Sequence, residues 1–175
     1  MGNHTPFLIM KYLLIVISFL FLTGFSKQET TCLAQNIYFE ARDQNIKGQI
    51  AVALVTINRV KSKRFPNSIC KVVKQARYRN GRLVKHKCHF SWFCDGLSDI
   101  PRDRIAWKVS LTIANAMLEH SGSHISKNGE KWKVKDFLHG ATHYHRKDVN
   151  PYWNRSMLKV AEIGSHIFYI DPYRF

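Results

Sequence analysis

Apolar positions recur at helical spacing in three stretches of the chain. In the first, Leu33, Ile37, Ala41 and Gln44 follow i, i+4 and i+3 steps. They predict a helix from about Thr31 to Gln44, capped by Thr30 or Thr31. Glu40 falls on the same face, three residues after Ile37, as a carboxylate among apolar neighbours. In the second stretch, Ile50, Ala51, Val52, Ala53, Leu54, Val55 and Ile57 leave almost no polar side. A helix apolar all round is buried, which predicts an interior helix from about Gly48 to Val60. It ends in Asn58-Arg59, and a basic run from Lys61 to Arg64 leads to a turn at Phe65-Pro66-Asn67. The third helix is predicted over Arg102 to His120, with Pro101 at its first turn and Gly122 as its stop. Its expected core stripe is Ile105, Val109, Ile113, Ala116 and Met117.

Elsewhere the pattern shortens to strands and loops. Residues 71–95 are irregular except for Asn80-Gly81, a strong hairpin signal between two basic, solvated arms. Ser121 to Lys135 is polar and predicts a long loop. Ala141–His145 predicts a short strand, and Met157–Ile163 with His166–Ile170 flank Gly164-Ser165 as a hairpin. Helices first and short strands later predict an α+β fold. A length of 175 residues suits one domain.

The N-terminus sets the compartment. Tyr12 to Phe25 is apolar and uncharged, Lys11 stands before it, and Gly24 and Ser26 fit a small-x-small cleavage site. Residues 1–26 are therefore expected to be a secretory signal cut after Ser26, with an uncleaved anchor as the alternative. Residues 27–175 are the expected functional domain, exported to the periplasm or beyond. The charge is +15, from 27 Lys and Arg against 12 Asp and Glu. Such an excess calls for a polyanionic neighbour. For an exported protein that neighbour is an anionic cell-wall polymer and not nucleic acid, with membrane contact only through the N-terminal segment. A hydrophobic content of 45 % excludes an intrinsically disordered chain. Four cysteines, Cys32, Cys70, Cys88 and Cys94, read as two disulfides in any of three pairings. The competing reading is zinc with His86 and His89, for which the Cys88–Cys94 spacing is poor.

The chain has no G-x-S-x-G, H-E-x-x-H, P-loop or G-x-G-x-x-G motif. Three groups of candidates remain. Glu40 on an apolar face would have a raised pKa and suit protonation of a glycosidic oxygen, or else would pair with Arg42 or Arg59. Phe90, Ser91, Trp92 and Phe93 offer flat rings beside polar groups, suited to sugar faces or to a core strand with alternating rings. Trp132, Tyr152 and Trp153 are further groove candidates. His143 and His145 alternate across Tyr144 and would share one strand face, and with His139 they are possible metal ligands.

Four blocks complete a pattern. They are Cys32-Leu-Ala-Gln-Asn-Ile-Tyr-Phe-Glu-Ala-Arg42; Gly48-Gln-Ile-Ala-Val-Ala with Asn58-Arg59-Val60 and Phe65-Pro66-Asn67-Ser-Ile-Cys70; Cys88-His-Phe-Ser-Trp-Phe-Cys94-Asp-Gly96; and Gly140-Ala-Thr-His-Tyr-His145 with Pro151-Tyr-Trp153 and Ile163-Gly-Ser-His-Ile-Phe-Tyr169. In this order the chain resembles the SleB/CwlJ-type cell-wall hydrolase family. The resemblance implies a lysozyme-like α+β fold and cleavage of peptidoglycan between N-acetylmuramic acid and N-acetylglucosamine, and no cofactor or metal is expected. It implies that Glu40 is the catalytic acid and that Thr142, His143, Tyr144 and His145 line the cleft, while Phe90, Ser91 and Trp92 are expected substrate contacts as flat rings beside a polar group. Two positions depart from the family pattern. Asp43-Gln44 stands where Gly-Glu is usual, and His89 where Gln is usual. A two-carboxylate mechanism therefore lacks its usual second group, with Asp43, Asp95 and Glu162 as candidates. A lytic transglycosylase, which needs one acid/base, is the expected activity, with simple hydrolysis by a water nucleophile left open. The rival expectations are a zinc hydrolase using His139, His143 and His145, and a non-catalytic wall-binding module.

Overall fold

Helix α2 (Ile46–Lys61) is the centre of the fold because it has no face to give to water. Ala51, Val52, Ala53, Val55 and Thr56 are fully buried, and Leu54 and Ile57 nearly so. Asn45 caps it by accepting a hydrogen bond from the Gly48 amide at 2.9 Å. The computed structural model describes residues 27–122, 126–127, 130–131 and 135–172. The expected export segment 1–26 and Trp132 lie outside these residues. Among the described residues no helix is long and apolar enough to cross a membrane.

Helix α1 covers 27–41 and buries Leu33, Ile37 and Ala41, as the spacing predicts. It begins earlier than expected, so Thr31 is an interior residue. Its hydroxyl bonds back to the Lys27 carbonyl at 2.9 Å and does not cap the helix. It also ends earlier. Gln44 has left the helix, and its side chain accepts the Ser165 amide at 2.9 Å, fastening the turn between the last two strands. A polar thread joins α1 to α2 inside the core. The Trp92 indole donates to Asn36 at 3.0 Å, Asn36 donates to Thr56 at 3.0 Å, and the Thr56 hydroxyl donates to the Val52 carbonyl at 3.1 Å. Each buried polar group in the thread thus has a partner.

After a short helix α3 (Ile69–Val73), strands β1 (Ala76–Arg79) and β2 (Arg82–Cys88) form the hairpin expected at Asn80-Gly81. Both turn residues have positive φ, 52° and 73°, as a two-residue primed turn requires. Ser91–Cys94 is a 3-10 turn, not the alternating strand considered for this aromatic run. Helix α4 (Arg104–Gly122) packs on α2 through Ser110, Ile113, Ala114 and Met117. Its expected stripe is shifted at the start, where Ile105 is 80 % exposed. The buried arc centres on Ser110 and Ala114 and turns the first-turn isoleucine outward. The expected loop from Ser121 to Lys135 also needs correction. The helix runs through Gly122, and β3 (Ser126–Lys127) pairs antiparallel with β4 (Glu130–Lys131). The last sheet has the order β5-β7-β6, with β5 His143–Arg146, β6 Leu158–Ile163 and β7 His166–Ile170, all antiparallel. Gly164 at φ 58° makes the β6–β7 turn, and a Cβ there would collide with the Gln44 side chain.

The cysteines form two disulfides, Cys32–Cys70 and Cys88–Cys94. This pairing leaves no thiolate for the zinc reading with His86 and His89. Cys32–Cys70 closes a 38-residue separation and Cys88–Cys94 one of only 6. The chain-entropy model gives the longer loop about 4 kcal/mol and the shorter about 2.5 kcal/mol. Denaturant unfolding should therefore show C32A/C70A to be the more destabilised double variant. The reverse order would mean that the short loop is the greater constraint.

Candidate active site

The last turn of α1 places Glu40 on the wall of an open cleft of about 940 Å3. One side of the cleft carries Tyr38, Phe39 and Glu40 of α1, with Arg42 just after it. The facing wall is Tyr144, His145 and Arg146 of β5 with His166 of β7, and Ser91, Trp92 and the 95–102 loop extend it. Tyr144 and Glu40 meet across it, the phenol donating to Glu40 Oε2 at 2.8 Å. The Glu40 carboxyl is half-buried, and its pKa is raised. Burial is the main cause, opposed by the Tyr144 hydrogen bond and the nearby Arg59 cation. The same environment pushes the Tyr144 phenol far above its ordinary range, through burial and the adjacent carboxylate. Tyr144 therefore stays a hydrogen-bond donor.

Arg59 is the residue whose role the sequence left open, named only as a possible partner of Glu40. It forms no ion pair within 4 Å of Glu40. It is 6 % exposed, and its Nε donates to the Thr142 carbonyl at 2.8 Å. Its guanidinium lies 4.7 Å from the Phe90 ring centroid and 5.3 Å from that of Phe65. Asn58 beside it donates to the Ala141 carbonyl at 3.2 Å and to Asp136 at 3.0 Å. Asp136 also accepts the Leu138 and Gly140 amides. The end of α2 thereby fixes the backbone that enters β5, and with it the position of Tyr144. The signal available for Arg59 was its place at the end of an otherwise apolar helix.

The other sequence candidates divide. Ser91 and Trp92 line the cleft, with Trp92 stacked on Phe39 at 4.7 Å. Phe90 is 2 % exposed and belongs to the core, where it backs Arg59. Of the Thr142–His145 block, Tyr144 faces Glu40. His143 and His145 share the opposite strand face, as alternation predicts, and their rings meet Trp153 at 5.5 and 5.6 Å. His145 still reaches the cleft wall. Its Nδ1 lies 2.7 Å from the Arg146 carbonyl and its Nε2 2.9 Å from the Tyr169 hydroxyl. That assigns the proton to Nδ1, with Tyr169 donating to Nε2. Thr142 is buried, and its hydroxyl bonds His143 Nδ1 at 2.9 Å. Burial, with Arg59 nearby, lowers the His143 pKa to about 4. His139 sits on an exposed turn at φ 52°. The histidines considered as a zinc set therefore do not converge, and among the described residues no three His, Cys, Asp or Glu side chains are grouped to hold a metal. Tyr152 is 88 % exposed and outside the cleft lining, as is Trp153.

Of the carboxylates considered beside Glu40, Asp43 and Asp95 are in the cleft, and Asp99, which sequence reading missed, joins them. Asp99 is raised by partial burial and by repulsion from Asp95. Glu162 is elsewhere, held ionised with a pKa of about 2 by Lys147 at 2.6 Å and Lys159 at 2.9 Å.

A cleft between a helix-borne carboxyl and a small antiparallel sheet defines the class of site, and similarity to known proteins identifies the family. The family described as Cell Wall Hydrolase matches residues 43–169, and the chain belongs to it. The matched span begins just after Glu40. The spore cortex-lytic enzyme of Bacillus cereus is 39 % identical over 148 residues, covering 83 % of this chain and 45 % of that protein. That of Halalkalibacterium halodurans is 28 % identical over 146 residues, covering 83 % and 36 %. The chain thus spans less than half the length of these curated relatives. The crystal structure of the catalytic domain of Bacillus cereus SleB superposes with a TM-score of 0.51 at 25 % identity, covering 82 % of this chain and 91 % of that one. The catalytic domain of the germination-specific lytic transglycosylase SleB from Bacillus anthracis gives 0.54 at 25 % identity, covering 81 % and 93 %. These matches carry the α+β order, with helices first and strands last.

The raised Glu40 pKa has a consequence for stability. The folded state holds the Glu40 proton more tightly than the unfolded chain does. This stabilising contribution is complete below the ordinary carboxyl pKa and is lost as pH rises through the folded value. Glu40→Gln keeps an acceptor for Tyr144 but removes the buried charge. Its Tm should exceed wild type at neutral pH by roughly 3 °C, or about 1 kcal/mol in a domain of this size. The gap should close toward pH 4. Thermal melts across pH check this, and a variant less stable at neutral pH would contradict it.

Proposed function

We propose that this protein cleaves the glycan strands of peptidoglycan between N-acetylmuramic acid and N-acetylglucosamine, outside the cytoplasm, as a lytic transglycosylase with Glu40 as acid and then base. The observation that carries the proposal is the Glu40 carboxyl, half-buried in an open cleft with a raised pKa and one oxygen held by Tyr144. The SleB protein of Bacillus anthracis, whose catalytic domain this chain resembles in fold, is described as a lytic transglycosylase, and that supports the same reaction class here.

The reaction follows from proton bookkeeping at Glu40. Protonated Glu40 donates to the bridging O4 as the bond from muramic C1 to O4 breaks. The C1 centre gains oxocarbenium character, and Glu40 is now a carboxylate. It takes the proton from the muramic 6-hydroxyl as O6 bonds to C1. The products are a free N-acetylglucosamine 4-hydroxyl and a 1,6-anhydro end, with no water consumed and Glu40 protonated again. Tyr144 and Arg59 stabilise the carboxylate between the two transfers. Tyr144 occupies Oε2, which leaves Oε1 for the substrate. Leu97, Ile100 and Val149 line the cleft at 78 %, 71 % and 51 % exposure, giving it apolar lips against sugar rings and acetamido methyl groups.

Asp43, Asp95 and Asp99 in the same cleft favour one second reading, hydrolysis with a water activated by one of them. Mass spectrometry of the muropeptides released from purified peptidoglycan separates the two. Products ending in anhydro-muramic acid, one water lighter, are expected. Glu40→Gln should lose about 100-fold or more of the rate, the scale of general acid–base catalysis. Hydrated ends would establish hydrolysis, and equal release by wild type and Glu40→Gln would overturn the role of Glu40.

A further inference from the structure

We infer that the β1–β2 hairpin is a substrate-reading arm that binds the carboxylates of the peptide stems projecting from the glycan in the adjoining cleft. This deepens the reading of the cleft as a peptidoglycan site and rests on it.

The charge distribution is the first observation. Between Asp43 and Asp95 the chain carries twelve Lys and Arg residues and no Asp or Glu. Five of them, Arg77, Arg79, Arg82, Lys85 and Lys87, lie on the hairpin, and none of these five makes an ion pair among the described residues.

The second observation is that the hairpin has no structural reason for this charge. Every residue from Arg77 to Lys87 is exposed except the half-buried Val84, so neither face packs on the core. A two-stranded hairpin is marginal in water. Here Arg79 is paired directly with Arg82, a like-charge arrangement that weakens the ladder. The hairpin is nevertheless held firmly at its root by Cys88–Cys94 and by the His89 amide donating to the Gln75 carbonyl at 3.0 Å. A repulsive, fastened and solvated hairpin is suited to a partner that supplies the missing anions.

Side-chain placement then narrows the anion. Arg79 and Arg82 are direct cross-strand partners and so share one face, and Arg77 precedes them where the register shifts between Ala76 and Tyr78. Exposed guanidinium groups this close together suit planar, bidentate acceptors such as carboxylates. Tyr78 and Leu83 pair on the other face, and the tip is Asn80-Gly81. A bilayer-inserting hairpin would present its apolar groups at the tip, so an anionic membrane fits poorly.

Continuity with the cleft selects the occupant. Cys88 and His89, at the end of β2, are cleft-wall residues. A Cβ built on Gly96 would stand 3.3 Å from the Lys85 side chain, so the arm lies against the 95–99 segment of that wall. A glycan seated in the cleft carries its peptide stems sideways, and the arm is where their free carboxylates arrive.

The test compares wild type with R77Q/R79Q/R82Q on peptidoglycan freed of phosphate polymers, either intact or stripped of its stems by an amidase. Wild type should prefer the intact polymer by about tenfold in kcat/KM, the size of a few exposed charge-assisted contacts. The preference should reside in KM, fade at 1 M salt and be absent from the variant. Equal cleavage of stripped glycan by both proteins shows that the variant is folded. A wild type indifferent to stems, or a variant that keeps the preference, overturns the inference. Co-sedimentation with the two polymers reads stem recognition without turnover, so an inactive protein that still binds intact wall in an arginine-dependent way would sink the catalytic reading alone. Arginine-dependent binding to anionic vesicles or to a polyphosphate, with none to the stems, would assign the arm to another partner and overturn the inference.

Discussion

Taking a carboxyl group out of water penalises its ionised form, and the site is arranged around how far that penalty is allowed to go at Glu40. Burial at the end of α1 raises the pKa, and the Tyr144 hydrogen bond and the Arg59 cation bring it part of the way back. In the proposed mechanism Glu40 serves as acid and then base, a role that needs both protonation states, and these opposed influences act in the direction that role requires. The cost is visible in Arg59. Its Nη1 is buried with no hydrogen-bond partner among the described residues, and aromatic rings take the place of a carboxylate beside it. A direct ion pair with Glu40 would have fixed the carboxyl as a permanent anion. The guanidinium is held at a distance by Thr142, Phe65 and Phe90, and so moderates the acid without capturing it.

The same anchoring explains why an α+β order suits this site. Helix α1 supplies the carboxyl and β5 the phenol, from residues 104 positions apart. Two side chains at the end of α2, Asn58 and Arg59, bind the Ala141 and Thr142 carbonyls and bring those elements together. Gln44 fastens the β6–β7 turn from the other side. The position of β5 against α1 is thus set by hydrogen bonds from Asn58 and Arg59 to backbone carbonyls and from Asn58 and two amides to Asp136. The basic β1–β2 hairpin lies beside the cleft, exposed to solvent.

Periodicity made much of this legible. The all-apolar run of α2, the apolar face carrying Glu40, the Asn80-Gly81 turn and the C-terminal hairpin at Gly164-Ser165 all appear where the pattern puts them. The misses have physical causes. Local pattern cannot tell a capping threonine from one bonded back inside a longer helix, which is why α1 begins before Thr31. It cannot tell a buried aromatic from a cleft aromatic either, so Phe90, which supports Arg59 from the core, looked like Trp92. Strand alternation put His143 and His145 on one face, but only the sheet shows that this face turns to Trp153 while Tyr144 turns to Glu40. The contributions of Arg59 and Asp99 depend on contacts between distant segments, which no spacing along the chain records.

The protonation state of Glu40 is the quantity on which the proposed chemistry turns, and it can be observed directly. Carbon-13 NMR of the glutamate side-chain carboxyls, with Glu40→Gln assigning the resonance, gives its titration in the folded protein. A midpoint well above that of an ordinary glutamate, moving higher still in Tyr144→Phe as the stabilising hydrogen bond is lost, is the predicted result. A midpoint in the ordinary range, unmoved by that substitution, would contradict the account.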